Sequence, residues 1–234
     1  PENRIISVGN THIAQEIKEL KEKNTRDVIR HEYKTDDKFT VLLLFSSAPS
    51  PFEEITPLFE YFSKNTSMQL VIKFHPITAI NIIEVWTDKI SDVIKQKLIL
   101  IHDEKSTYDL MEMSDLCVIS EPSTTGLEAI AIGKPLIQLK LEKPDQHPYD
   151  FVKEKVALHL TPGELVEKLE NDLDYLINFS AADIKKFIEN ELTDTKGAAD
   201  RIVNIAKKVI QGNNDKKVAT FEFKNSSPSN EILW

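Results

Sequence analysis

Six short apolar runs punctuate this chain from residue 40 onward: TVLLLF (40–45), LVIKF (70–74), LILI (98–101), LCVI (116–119), PLIQL (135–139) and VALHL (156–160). They are continuous rather than alternating, so each is expected to be a strand buried on both faces. Between them lie stretches with helical spacing near 52–64, 87–97, 106–113, 124–132 and 147–154, and helices near 163–178, 181–191 and 196–211 close the series. Buried strands joined by helical crossovers pair in parallel, which predicts an α/β fold with a doubly wound parallel sheet.

Ahead of the series, RIISV (4–8) reads as a strand and HIAQEIKELKEK (12–23) as an amphipathic helix with Ile13, Ile17 and Leu20 on one side. The polar stretch 24–38 reads as a linker. The expected organisation is an N-terminal strand–helix unit with its linker (1–38), a sheet domain (39–211) and a polar tail without period (212–234). The chain begins at Pro1 rather than methionine, so it is expected to be a fragment of a longer protein.

Composition removes several function classes. A net charge of −9 over 234 residues argues against general attraction to nucleic acid or anionic lipid, while leaving room for a small phosphate pocket. No apolar run approaches the length needed to span a bilayer. Cys117 is the only cysteine, so no internal disulfide forms, and its place in LCVIS marks it as a core thiol in a reducing, cytoplasmic setting. The six histidines lack metal-ligand spacing, and there is no G-x-G-x-x-G, no P-loop and no G-x-S-x-G elbow. Neither a metal nor a dinucleotide cofactor is expected.

The strand series also predicts where ligands bind. In the usual 3-2-1-4-5-6 order the first and fourth strands are neighbours, and the winding reverses between them, opening a crevice above their carboxyl ends. Three polar loops converge there: SSAPSP (46–51), the end of KFHP (73–76) and SEPSTTG (120–126).

In the last of these, a helix is expected to start at Ser123, Thr124 or Thr125. Helix N-termini present free N–H groups and partial positive charge to anions. The hydroxyls add donors, and Gly126 is expected to let a ligand approach the backbone. Thr125 and Glu128 also have capping-box spacing, and Glu128 alternatively suits ribose hydroxyls. Lys73 and His75, two apart in a strand, share a direction and offer two donors to a diphosphate, against the plainer reading of a snorkelling lysine and a strand-end histidine. Ser46 and Ser47 follow the first strand directly, where they serve either a ligand or a turn. HDEK (102–105) and QHPYD (146–150) lie near the same edge and read more simply as a charged turn and a loop.

The ordered set VGNTHI, KFHP, SDLCVISEPSTTGLEAIAIGKPLI and GAADRIVNIAKKVI resembles the C-terminal, nucleotide-binding half of GT-B-fold proteins. It is most similar in character to polysaccharide and teichoic-acid type glycosyltransferases and to UDP-N-acetylglucosamine epimerases. The resemblance spans about residues 1–211 and implies a Rossmann-like domain that binds a nucleoside-diphosphate sugar or polyol as substrate. It implies a diphosphate against Ser123, Thr124 and Thr125, with His75 beside it and Glu128 near the ribose. It implies no resident cofactor. It further implies a missing N-terminal acceptor domain supplying the catalytic base, little turnover by this chain alone, and contact with the inner membrane only through parts outside it. A nucleotide-sugar epimerase and a non-catalytic nucleotide-sugar-binding module are the alternatives. EPSTTG stands where the epimerases carry aspartate-serine-glycine-glycine, and Pro122 stands where glycerophosphate-type transferases carry an aromatic residue.

Overall fold

Alternate residues of each central strand enter two different cores. Val41, Leu43 and Phe45 pack with Leu70, Ile72, Phe74, Leu116 and Val118 on one face, while Leu42, Leu44, Val71, Cys117 and Ile119 pack on the other. Both faces are covered, which is why the strands read as unbroken apolar runs.

The computed structural model describes residues 11–23, 25–46, 49–102, 105–141, 151–179, 181–191 and 198–210. The expected strand at 4–8, Ser47, residues 146–150 and the tail 212–234 lie outside the described residues. The six expected strands are present as β1 (Phe39–Leu44), β2 (Met68–Lys73), β3 (Ile99–Ile101), β4 (Leu116–Ile119), β5 (Leu136–Leu139) and β6 (Leu158–Leu160). All pairings are parallel, in the order β3-β2-β1-β4-β5-β6. The fold is a Rossmann-like α/β sheet with its winding reversed between β1 and β4.

One face carries α3 (Phe52–Lys64), α4 (Ile80–Thr87), α8 (Pro162–Asn171) and α9 (Leu173–Asn178). The other carries α1 (Thr11–Lys23), α2 (Arg26–Glu32), α6 (Thr107–Met113), α7 (Thr124–Ala131) and α10 (Ala181–Glu191). The short α5 (Asp92–Lys95) follows α4, and α11 (Ala198–Ile210) touches α1.

Four local expectations are corrected. The stretch expected as a linker contains α2, whose Ile29 joins the core and whose Arg30 is buried. Its polarity misleads because Arg30 is held by backbone oxygens: it donates to the carbonyls of Met113 (2.8 Å) and Thr35 (2.8 Å), to that of Lys38, and to Asp115 (3.2 Å). The helix expected at 87–97 is misplaced: α4 lies earlier and ends at Thr87, and only the four-residue α5 falls within that range. Ile80, Ile82, Val85 and Val93 are exposed, so the apolar spacing does not mark the buried side. The helix expected at 163–178 breaks at Asp172 (φ −151°, ψ 46°) into α8 and α9, and α8 starts on a Thr161–Glu164 capping box. Residues 151–155 form turns where the end of a helix was expected, with Lys155 at φ 58°.

Candidate functional site at the winding reversal

Strands β1 and β4 end side by side, Leu44 paired with Ile119. Just beyond them the backbone N–H of Ser46 donates to Ser120 Oγ at 3.4 Å, and the N–H of Ser120 donates to the Leu44 carbonyl at 3.2 Å. On the other flank, Phe45 N–H donates to the Lys73 carbonyl at 3.1 Å, and Phe74 N–H to that of Ile101 at 2.9 Å. The loops after β1, β2 and β4 therefore leave one sheet edge together, as the strand order requires.

The loop after β4 leads into α7. Ser123 is the N-cap, in extended conformation (φ −158°, ψ 168°), and its carbonyl accepts the Gly126 N–H at 3.0 Å. No side-chain hydrogen bond caps the helix, so the Thr125–Glu128 capping box is not formed. Thr124 is exposed, and Ser123 and Thr125 are half-buried. A helix start that its own side chains leave uncapped keeps its first N–H groups available to an anion.

Gly126 has a different purpose from the one expected. It is buried, and a Cβ built there would lie 2.6 Å from Phe151 Cε2 and 3.1 Å from Ile119 Cδ1. The missing side chain makes room for the core rather than for a ligand.

His75 is half-buried beyond β2. Its Nδ1 accepts the Ile77 N–H at 3.2 Å, and its carbonyl accepts that of Thr78 at 2.9 Å. With Nδ1 occupied as an acceptor, the neutral ring carries its proton on Nε2, which makes His75 a donor. Lys73, the last residue of β2, is only 3% exposed and is engaged by a partner, so it does not snorkel to solvent. Lys105 is likewise taken: it reaches the Glu32 carboxylate at 2.9 Å and lies over the Tyr33 ring.

Glu128 faces α1 and α6. Burial pushes its carboxyl above the usual range and nearby Glu16 adds to this, whereas His12 and Tyr108 oppose it. Tyr108 is buried, and its hydroxyl makes no hydrogen bond of ordinary geometry. Burial, then the neighbouring Glu128, push the phenol strongly upward. The His12 ring stands edge-on to Tyr108 at 5.9 Å, with Nδ1 3.9 Å from Glu16 Oε1. Sequence reasoning did not single out Tyr108, because a tyrosine at the second position of a helix has no spacing signal of its own. Cys117 is a fully buried core thiol, pushed up to about 12 by its burial. Among the described residues no three His, Cys, Asp or Glu side chains are placed to hold a metal, and no helix is long and apolar enough to cross a membrane.

The family model for capsule polysaccharide biosynthesis proteins matches residues 6–141, more than half of the chain and including the loops after β1, β2 and β4. The chain belongs to that family. No curated protein matches its sequence. Among solved structures, this capsule-family chain is similar to the wall teichoic acid polymerase TagF soaked with CDPG, at 14% identity and a TM-score of 0.62, covering 92% of this chain and 53% of that one. It is similar to the UDP-GlcNAc 2-epimerase of Neisseria meningitidis bound to UDP-GlcNAc (16%, TM-score 0.58, 89% and 56%). It is also similar to HepE of Anabaena in complex with UDP (13%, TM-score 0.53, 79% and 53%). The chain spans about half the length of these structures. At such identities the likeness establishes the fold, that of a half of GT-B proteins, and family membership ties the chain to polysaccharide synthesis.

Proposed function

We propose that this chain is the donor-binding part of a glycosyltransferase for surface polysaccharide, holding a nucleoside-diphosphate sugar or polyol in the crevice between β1 and β4. The uncapped start of α7 beside that crevice carries the reading. Its free N–H groups, with the hydroxyls of Ser123, Thr124 and Thr125, cradle the diphosphate, and His75 donates to it through Nε2. As the bond to the sugar breaks, charge grows on the leaving diphosphate, and fixed dipoles aimed at it stabilise that charge without reorganising. Glu128 accepts from the ribose hydroxyls. The substrate brings the reactive group, so no resident cofactor is called for. The attacking acceptor and its base belong to a partner domain.

The similarity to TagF and HepE, whose structures hold CDPG and UDP, favours a pyrimidine nucleotide. Calorimetry with UDP, CDP, GDP and ADP tests the reading. One diphosphate should bind, and Ser123→Ala or Thr124→Ala should weaken it about fivefold each. Failure of all four to bind ends the reading. Conversion of UDP-GlcNAc without an acceptor would instead mark an epimerase.

A further inference from the structure

The two loops that carry Ser46 and His75 rest on one side chain. Trp86, on α4, is 6% exposed, and its indole N–H donates to the Ser50 carbonyl at 2.9 Å, across 36 residues of sequence. The same indole meets Phe45 at 5.2 Å and 75°, Phe74 at 5.4 Å and 81°, and Phe52 at 5.7 Å and 76°. Edge-to-face contacts of this kind are directional and hold rings in defined orientations.

The placement of these phenylalanines matters. Phe45 immediately precedes Ser46, and Phe74 immediately precedes His75. Each is also the residue whose N–H makes the hydrogen bond to the neighbouring strand at the sheet's edge. Phe52 opens α3, so Trp86 touches both ends of the 45–52 loop and grips its middle through Ser50. We propose that Trp86 is a positioning residue for the nucleotide site, setting the 45–52 and 74–78 loops so that Ser46 and His75 face the same diphosphate. This rests on the nucleotide reading above for its ligand, but not for its geometry.

The test uses the full chain with Trp86→Phe, which keeps a ring and loses the indole N–H. Affinity for the diphosphate that the unmodified chain binds should fall about tenfold, the loss of one buried hydrogen bond and its geometry. Amide exchange should accelerate at 45–46, Ser50, 74–75 and 77–78 and stay unchanged in β4 and β5, a pattern that general destabilisation would not give. Unchanged loop exchange, or acceleration spread evenly over the sheet, overturns the proposal. If the unmodified chain binds no nucleotide, the nucleotide reading fails, while the exchange comparison still decides the role of Trp86. Should Trp86→Phe not fold, Phe45→Leu removes one of the ring contacts and is read in the same way.

Discussion

The backbone N–H of Ser46 and the hydroxyl of Ser120, 74 residues apart in sequence, meet at 3.4 Å where β1 and β4 end. The bond joins the loops of the two strands between which the winding reverses. Ser120 is 2% exposed, so its oxygen is committed to the fold rather than to solvent. Ser120→Ala should cost about 1 kcal/mol in urea unfolding and speed amide exchange at Ser46. A wild-type exchange rate at Ser46 would show that the bond does not hold the loop.

Gly126→Ala tests the packing role of that glycine. The added methyl would meet the Phe151 ring, itself fully buried, at 2.6 Å. Overpacking should destabilise the chain by about 1–3 kcal/mol. Phe151→Leu, which frees space at the ring edge, should recover part of that loss in the double variant. Simple addition of the two single losses would mean that the residues do not compete for the same space.

The strand order was legible because it follows from few constraints: continuous apolar strands, helical crossovers and short connections leave little choice of topology. The crevice followed from the order, and SEPSTTG stood at its edge by spacing alone. Contacts between elements were less legible. Nothing local to Gly126 announces Phe151, and nothing in RDVIRHE announces that Arg30 will be wrapped in carbonyls from residues 35–38 and 113. Polarity is a poor guide where a charged side chain satisfies buried backbone, and apolarity is a poor guide where α4 leaves Ile80, Ile82 and Val85 in solvent.

Arg30 is the strongest such case. With Arg26 it binds Asp115, whose carboxylate also accepts the Thr40 N–H at 2.8 Å, so the starts of β1 and β4 are tied together at the edge opposite the crevice. Arg30→Met keeps the apolar stem and removes every donor, leaving buried carbonyls of Met113 and Thr35 without this partner. It should cost about 3 kcal/mol, more than Arg26→Met, whose side chain is more exposed. Equal, small losses in urea unfolding for both variants would reduce the clamp to a surface ion pair.

Glu128 links stability to pH. Its carboxyl is held above the ordinary range of a glutamate, chiefly by burial. A raised folded-state value means that the folded chain keeps the proton more tightly than the unfolded chain. The contribution to stability is therefore fully present below about pH 4.5 and is lost as pH rises through the folded-state value. Once pH has risen through that value, the buried carboxylate, which also faces Glu16, costs stability that His12 and Tyr108 only partly offset. Glu128→Gln cannot ionise. It should therefore unfold at a higher temperature than the unmodified chain at pH 7, with the gap closing as pH falls toward 4.5. The same substitution should weaken binding of the ribonucleotide, because an amide is a poorer acceptor than a carboxylate for ribose hydroxyls. A variant that is less stable at pH 7 and binds as before would mean that Glu128 serves the fold and not the ligand.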